Sequence, residues 1–252
     1  GILLLISYTA PFYLFALGAL FVIFLITKQK SPPITKIKDD FKKISLFDNR
    51  VWPFLIVSAS FGICNAALVQ TSSFYFQDVI DPNSTNFIAL ASVGFMLSAL
   101  GILNGQLLIA DRLQTSPGSL IRLGILFIFF SLLGVANSTS LVHIYISLFF
   151  YGLGGGMLGP GISASLSLSV GKENQGSASG FLGMVIPIGH VISPIISMPL
   201  YTINPSYPYL LGSFLMLFCF IFVLSNQRHK WIRKKSYRKD YEAYTEEPSD
   251  LP

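Results

Sequence analysis

Apolar residues in this chain arrive in runs of about 18 to 25 with almost no charge inside them, the length an α-helix needs to cross ~30 Å of hydrocarbon. Composition agrees: 12% of the residues are charged, where a soluble domain carries roughly 25%, and mean hydropathy is +0.62. The expected fold is an all-α integral membrane protein. The runs place spans at 10–27, 51–76, 86–110, 120–137, 141–168, 177–201 and 207–226, so the chain ends lie on opposite sides. Residues 1–9 (GILLLISYT) are apolar as well. Joined to the first span they would make a helix of ~40 Å, longer than one crossing. Pro11 suits a helix start better than a helix middle, so residues 1–7 read as the stub of a preceding span. The first residue is Gly, with no charged leader and no small-residue cleavage site, as expected for the back portion of a longer protein without a signal peptide.

Charge orients the spans. All 17 Lys and Arg fall after spans one, three, five and seven: Lys28, Lys30, Lys36, Lys38, Lys42, Lys43, Arg50, Arg112, Arg122, Lys172, and Arg228 through Lys239. The loops 77–85, 138–140 and 202–206 hold none. Under the positive-inside rule the basic loops and the C-terminus are cytoplasmic. The net charge of +5 then reflects topology and anionic headgroups rather than nucleic acid. Cys64 and Cys219 both fall inside spans and read as small apolar residues. No metal or disulfide spacing is present. The sequons at Asn83 and Asn137 lie in short outer loops against the membrane, poor acceptors for glycan.

An enzyme in the membrane needs titratable groups facing a cavity, because such groups are costly to bury otherwise. Every Asp and Glu reads as lying outside the spans: Asp39, Asp40 and Asp48 in the first basic loop, Asp78 and Asp81 in an outer loop, Asp111 and Glu173 at cytoplasmic turns, the rest in the tail. His190, about thirteen residues into the sixth span, is the one ionisable side chain expected deep in the hydrocarbon. One buried His without a buried acid assembles no Ser-His-Asp or Cys-His arrangement, which argues against a hydrolase. Uncharged polar groups are more plentiful. Ser58, Phe61, Asn65 and Ser72 recur at helical spacing on the second span, with Gln70 roughly 140° away from Asn65. Asn104 and Gln106 flank Gly105 on the third span, and the fifth offers Tyr145 and Tyr151. Each amide can join helices by hydrogen bonds; facing one cavity together, they suit a broad, weakly polar ligand site.

The run GLGGGMLG, 152–159, satisfies G-x-G-x-x-G, but a dinucleotide turn needs a strand before it and a helix after it. Here LVHIYISLFFY runs straight into the glycines, so the membrane reading prevails. Gly152 with Gly156, and Gly155 with Gly159, stand one turn apart and let a neighbouring backbone approach. Gly176 and Gly180 repeat the spacing, and Pro160, Pro187 and Pro194 interrupt helices where cavities and moving parts are tolerated.

In this order the motifs resemble the major facilitator superfamily, drug:proton antiporter branch, which includes the tetracycline-type exporters. Residues 151–201 are similar to its tenth and eleventh helices: a glycine-rich helix ending in Gly159-Pro160, small residues to Ser169, a turn with Gln175-Gly176, then Gly180, Gly189 and Pro194 before Tyr201. GQLLIADRLQTSPGSLIRLG, 105–124, resembles the turn between the eighth and ninth helices. Gly105, Asp111 and Arg112 fit it, while Gln114, Thr115 and Ser116 replace the usual glycine and basic pair. The resemblance implies residues 1–27 as the end of an N-terminal half, 28–50 as a basic cytoplasmic linker, 51–226 as the six-helix C-terminal bundle, and 227–252 as a cytoplasmic tail. It further implies a multi-pass transporter of the plasma (inner) membrane that alternates access around a midplane site.

The function expected on this basis is proton-driven export of a small amphipathic compound, with Asn65, Gln70, Tyr151 and His190 lining the cavity. Gly105, Asp111, Arg112, Gly155, Gly159, Pro160 and Pro194 are expected to serve packing and conformational exchange. The proton-coupling carboxylate is expected in the N-terminal half, unless His190 contributes. No cofactor, metal or nucleic acid is expected; the partners are substrate, protons, lipid and that half. Rival readings are uptake or exchange of a metabolite such as a sugar or organic anion, a non-transporting sensor or assembly partner, and a membrane enzyme with its catalytic residues upstream. An anionic substrate is disfavoured by the lack of Lys or Arg inside the spans. The tail is expected to begin on the membrane surface and to continue disordered.

Overall fold

Long apolar stretches form long helices because a helix satisfies its own backbone groups in lipid. A computed structural model describes residues 9–28, 44–83, 85–111, 116–171 and 174–225, which hold seven helices and no strand. The helices are α1 (Ala10–Lys28), α2 (Trp52–Tyr75), α3 (Phe87–Asp111), α4 (Pro117–Ala136), α5 (Leu141–Ser169), α6 (Gln175–Ile203) and α7 (Tyr207–Ser225). Six of these, α2 through α7, are long and apolar enough to cross a membrane, and α1 is a shorter apolar helix. The chain divides into two compact units, Gly1–Lys42 and Lys43–Pro252. In the first, α1 exposes its apolar side chains, and Lys28 Nζ lies 4.6 Å from the centre of the Phe24 ring. The linker between α1 and residue 44, Arg112 and the tail lie outside the described residues.

Prolines sit in the first turns of α2 and α4, where a missing N–H costs nothing. The Ser140 hydroxyl caps α5 by accepting from the His143 amide. The span ends differ from expectation by a few residues, with two consequences. Arg122, counted with the basic cytoplasmic residues although it stands third in the expected span 120–137, lies inside α4, where it donates to the Gly118 carbonyl and the Ser119 hydroxyl. Asp78 likewise belongs to no loop: α2 continues as a π-helical turn, Phe76–Ile80. There Asp78 Oδ2 accepts from the Tyr201 hydroxyl of α6 at 2.9 Å. The Phe74 ring packs beside Tyr201, centroids 6.3 Å apart, so an aromatic and a charge-assisted contact join the ends of α2 and α6.

Close backbone contact organises the second unit. Gly152 and Gly156 of α5 lie against the backbone of Ser98 and Ile102 of α3, and Gly101 and Gly105 of α3 lie against α5 in return. Residue numbers rise together along both helices, so α3 and α5 are parallel. Gly154 faces Gly124 and Ile128 of α4, and Gly161 faces Ile121 and Pro117, so α4 runs antiparallel to α5. Gly62 of α2 meets Ile186 and Gly189 of α6; twelve residues further along both helices, Phe74 meets Tyr201. Thus α2 and α6 are parallel too. Without a hydrophobic force between helices in lipid, such packing and a few hydrogen bonds hold the bundle.

The bond between α2 and α7 is one of those few. The Thr71 hydroxyl lies 2.9 Å from the Tyr209 hydroxyl and 2.7 Å from its own Ala67 carbonyl. Tyr209 also stands edge-on to Tyr75, centroids 5.1 Å apart. Tyr209→Phe keeps the ring contact and removes the bond, at an expected cost of about 0.5–1.5 kcal/mol. Thermal unfolding in detergent should show a small drop for Tyr209→Phe, and Thr71→Val added to it should cost less than Thr71→Val alone.

Candidate functional site

The polar face expected on α2 takes shape where α2 meets α5. Phe61 and Asn65 stand one turn apart on α2, and Tyr151 and Gly155 one turn apart on α5. The Phe61 and Tyr151 rings stack, with centroids 6.3 Å apart and planes 24° from parallel. The Tyr151 hydroxyl donates to Asn65 Oδ1 at 3.4 Å. Tyr151 is buried, whereas Phe61 and Asn65 are half-buried. A Cβ on Gly155 would meet Phe61 Cζ at 3.5 Å, so the glycine leaves room for the Phe61 ring over α5. Because Tyr151 occupies Oδ1, the donor half of the Asn65 amide is left for a ligand acceptor, and the aromatic pair offers apolar area beside it.

Gln70 and His190 do not join this cluster. Gln70 lies between the levels of Gly62 and Phe74 on α2, and its Oε1 is buried without a partner among the described residues. His190 is exposed on α6, with Nδ1 3.2 Å from the Ile186 carbonyl one turn back. It stands beside Gly189, which meets Gly62, the neighbour of Phe61. Tyr151 and His190 therefore stand at one depth on the two flanks of α2. That depth is close to the midpoint of the 29-residue α6.

The glycine run divides its duties by rotation around α5. Gly152 and Gly156 face α3, Gly154 faces α4, and Gly155 faces Phe61 of α2; a Cβ on Gly159 would meet nothing within 4 Å, and Pro160 beside it is exposed. The close backbone approach expected of Gly152 and Gly156 is made, with Gly154 joining them, whereas Gly155 and Gly159 meet no neighbouring backbone. Gly105 is packed tightly, its added Cβ falling 2.7 Å from the Leu153 carbonyl. Of Asp111 only the backbone, at the end of α3, is described. Pro194 is half-buried in α6, which holds Pro187 and Pro199 as well. Asn104, another candidate amide, donates to its own helix at the Leu100 carbonyl.

One face of α6 is open. Gly176, Gly180, Gly183, Pro187, His190 and Pro194 recur at alternating spacings of four and three residues, which puts them on one stripe. A Cβ on any of the three glycines would meet nothing within 4 Å. In the apolar windows of α3 and α6 only 17% and 22% of residues are buried, against 61% in α2, so these two are the least covered of the six long helices. Phe61 as the stacking partner of Tyr151 was not singled out as a site residue from sequence, although its place four residues before Asn65 signals it.

A family model described as Major Facilitator Superfamily matches residues 1–194 and also 108–247. No curated protein matches the chain. Among solved structures it is similar to the POT family transporter PepTSo in its in meso crystal structure, with a TM-score of 0.62 and 18% identity over 71% of this chain. The match covers 37% of that transporter's chain. At this identity the likeness is one of fold.

Proposed function

The chain belongs to the Major Facilitator Superfamily, and on that premise we propose that it forms one bundle of a secondary transporter that exports small amphipathic compounds in exchange for protons. The observation that carries the reading is the Phe61–Tyr151–Asn65 cluster at the depth of His190. An aromatic platform with one free amide donor suits compounds that combine a flat apolar body with a few polar groups. His190 supplies an imidazole, a side chain whose chemistry suits proton exchange. Gln70, five residues past Asn65 on α2, is a further candidate lining residue.

The open stripe of α6 is the surface that meets a second bundle of the complete protein. Its three glycines let that bundle approach closely, and Pro187 and Pro194 leave the Gly183 and His190 carbonyls without helix partners. Gly155, Gly159, Pro160 and Pro194 border the moving surface, and Gly105 fixes α3 to α5 behind it. Asp111 ends α3, and Arg112 follows it in the sequence. Alternating access then rocks one bundle against the other around the midplane cluster. Positive charge places the basic loops and the C-terminus on the cytoplasmic side of the plasma membrane.

Everted membrane vesicles containing the complete protein test this reading. With protons concentrated inside, amphipathic dyes should accumulate in the lumen and leave when an uncoupler collapses the gradient. His190→Ala should abolish the gradient-driven part. Accumulation that ignores the uncoupler would refute proton exchange, and full coupling in His190→Ala would remove the histidine from the site.

A further inference from the structure

As far as Ser193, α6 is fastened closely to α2. Gly189 and Ile186 lie against Gly62, and the Ser193 hydroxyl donates to the Ile63 carbonyl at 3.1 Å. The stretch 194–203 that completes α6 is held differently. Ser197 is its one buried residue, and the Ser197 hydroxyl has no hydrogen-bond partner among the described residues. Ser197 lines a cavity of about 30 Å³ that α6 shares with Ala67 of α2 and Leu211 of α7. Side chains around such a space lack part of the dispersion contact that a filled seam supplies, so the stretch is loosely backed.

Its own backbone is weakened as well. Pro194 and Pro199 have no N–H to give, which leaves the His190 and Ile195 carbonyls without helix donors, and interruptions of this kind are where helices bend. Among the described residues, one hydrogen bond leads from 194–203 to another helix. The Tyr201 hydroxyl donates to Asp78 Oδ2 at 2.9 Å, with the Phe74 ring beside Tyr201. A carboxylate acceptor makes that bond stronger than a neutral one. Its α2 end is firmly seated: Asp78 stands in the π-helical turn that continues α2, and α2 is the most buried of the six long helices.

We propose that residues 194–203 form a hinged arm, which pivots at Pro194 and is latched to α2 by Tyr201 and Asp78. With the latch made, the arm lies along α2. With it broken, no hydrogen bond to another helix holds the arm beyond Ser193, and it swings away on the proline. On the export reading this arm is a lid at the end of the bundle away from the basic loops, opened to release a compound. That use rests on the export reading; the latch itself does not.

Hydrogen–deuterium exchange of the complete protein in detergent, followed peptide by peptide, tests the latch. Tyr201→Phe keeps the ring beside Phe74 and removes the bond. Amides in 195–203 should then exchange at least about fivefold faster, while those in 176–193 keep the rate of the unaltered protein. Asp78→Asn retains an acceptor for the Tyr201 hydroxyl without the charge, and should give a smaller rise in the same peptides. Unchanged exchange at 195–203 in Tyr201→Phe, or an equal rise along the whole of α6, would overturn the proposal. The unaltered protein decides the matter even where a variant folds poorly: 195–203 should already exchange faster than 184–193, and equal rates would contradict a hinge at Pro194. Neither a transported compound nor a proton gradient enters the readout, so its failure is distinct from failure of the vesicle experiment.

Discussion

Gly152→Val is expected to remove most of the folded protein. A Cβ at Gly152 would fall on the Ser98 backbone of α3, and Gly156, Gly101 and Gly105 make the same kind of contact along the same pair of helices. Backbone atoms cannot rotate aside as a side chain can, so α3 and α5 would have to separate along their length. Ordinary overpacking of a core costs about 1–3 kcal/mol, and a seam built from four glycines stands at or beyond the upper end. Since ~1.4 kcal/mol is tenfold in an equilibrium, the yield of monodisperse protein in size-exclusion chromatography should fall by at least about tenfold. Gly159→Val is the internal control: its Cβ meets nothing within 4 Å, and the yield should stay at the unaltered level. Normal yield from Gly152→Val would mean that α3 and α5 do not approach this closely.

The second large effect is on ligand recognition. Asn65→Ala removes the amide donor that the cluster offers and should lower affinity for a transported compound by about tenfold or more, because an unmet buried partner costs about 1–3 kcal/mol. Tyr151→Phe keeps the ring stacked on Phe61 and removes only the bond that holds Asn65 Oδ1. Its expected effect is smaller, a loss of orientation and not of the donor. Because Tyr151 acts through Asn65, the double variant should bind about as weakly as Asn65→Ala alone. Equilibrium binding by fluorescence of an amphipathic dye measures all three; losses that add fully would show that the two residues act separately.

What could be read from the sequence follows from what apolar runs encode. A run of lipid-compatible residues specifies a span almost unaided, and each predicted span is recovered as a helix with its ends shifted by a few residues. Rotation about the helix axis is less legible. GLGGGMLG announces close packing, yet which glycine faces α3, which α4 and which nothing depends on where the neighbours stand. Asn65 and Gln70, both expected to line the cavity, stand roughly 140° apart: Asn65 accepts from Tyr151 of α5, while Gln70 Oε1 is buried without a partner among the described residues. Asp78 was misplaced because a lone acid after an apolar run looks like a loop; the Tyr201 hydroxyl that draws it into the helix is more than a hundred positions away. The start of α4, at Pro117 rather than 120, was missed for a local reason involving Arg122. Its guanidinium turns back onto the first turn of α4, which lets a helix start earlier than its apolar run.

The central claim is that this fold carries a compound across a membrane by exposing one site alternately to each side. Counterflow in proteoliposomes of the complete protein tests it most directly, because it needs no assumption about the coupling ion. Vesicles loaded with an unlabelled amphipathic compound are diluted into a trace of the same compound in labelled form. Alternating access predicts a transient overshoot of label inside the loaded vesicles, suppressed by Asn65→Ala and absent from protein-free liposomes. Label that enters loaded, empty and protein-free vesicles at one rate would contradict the account.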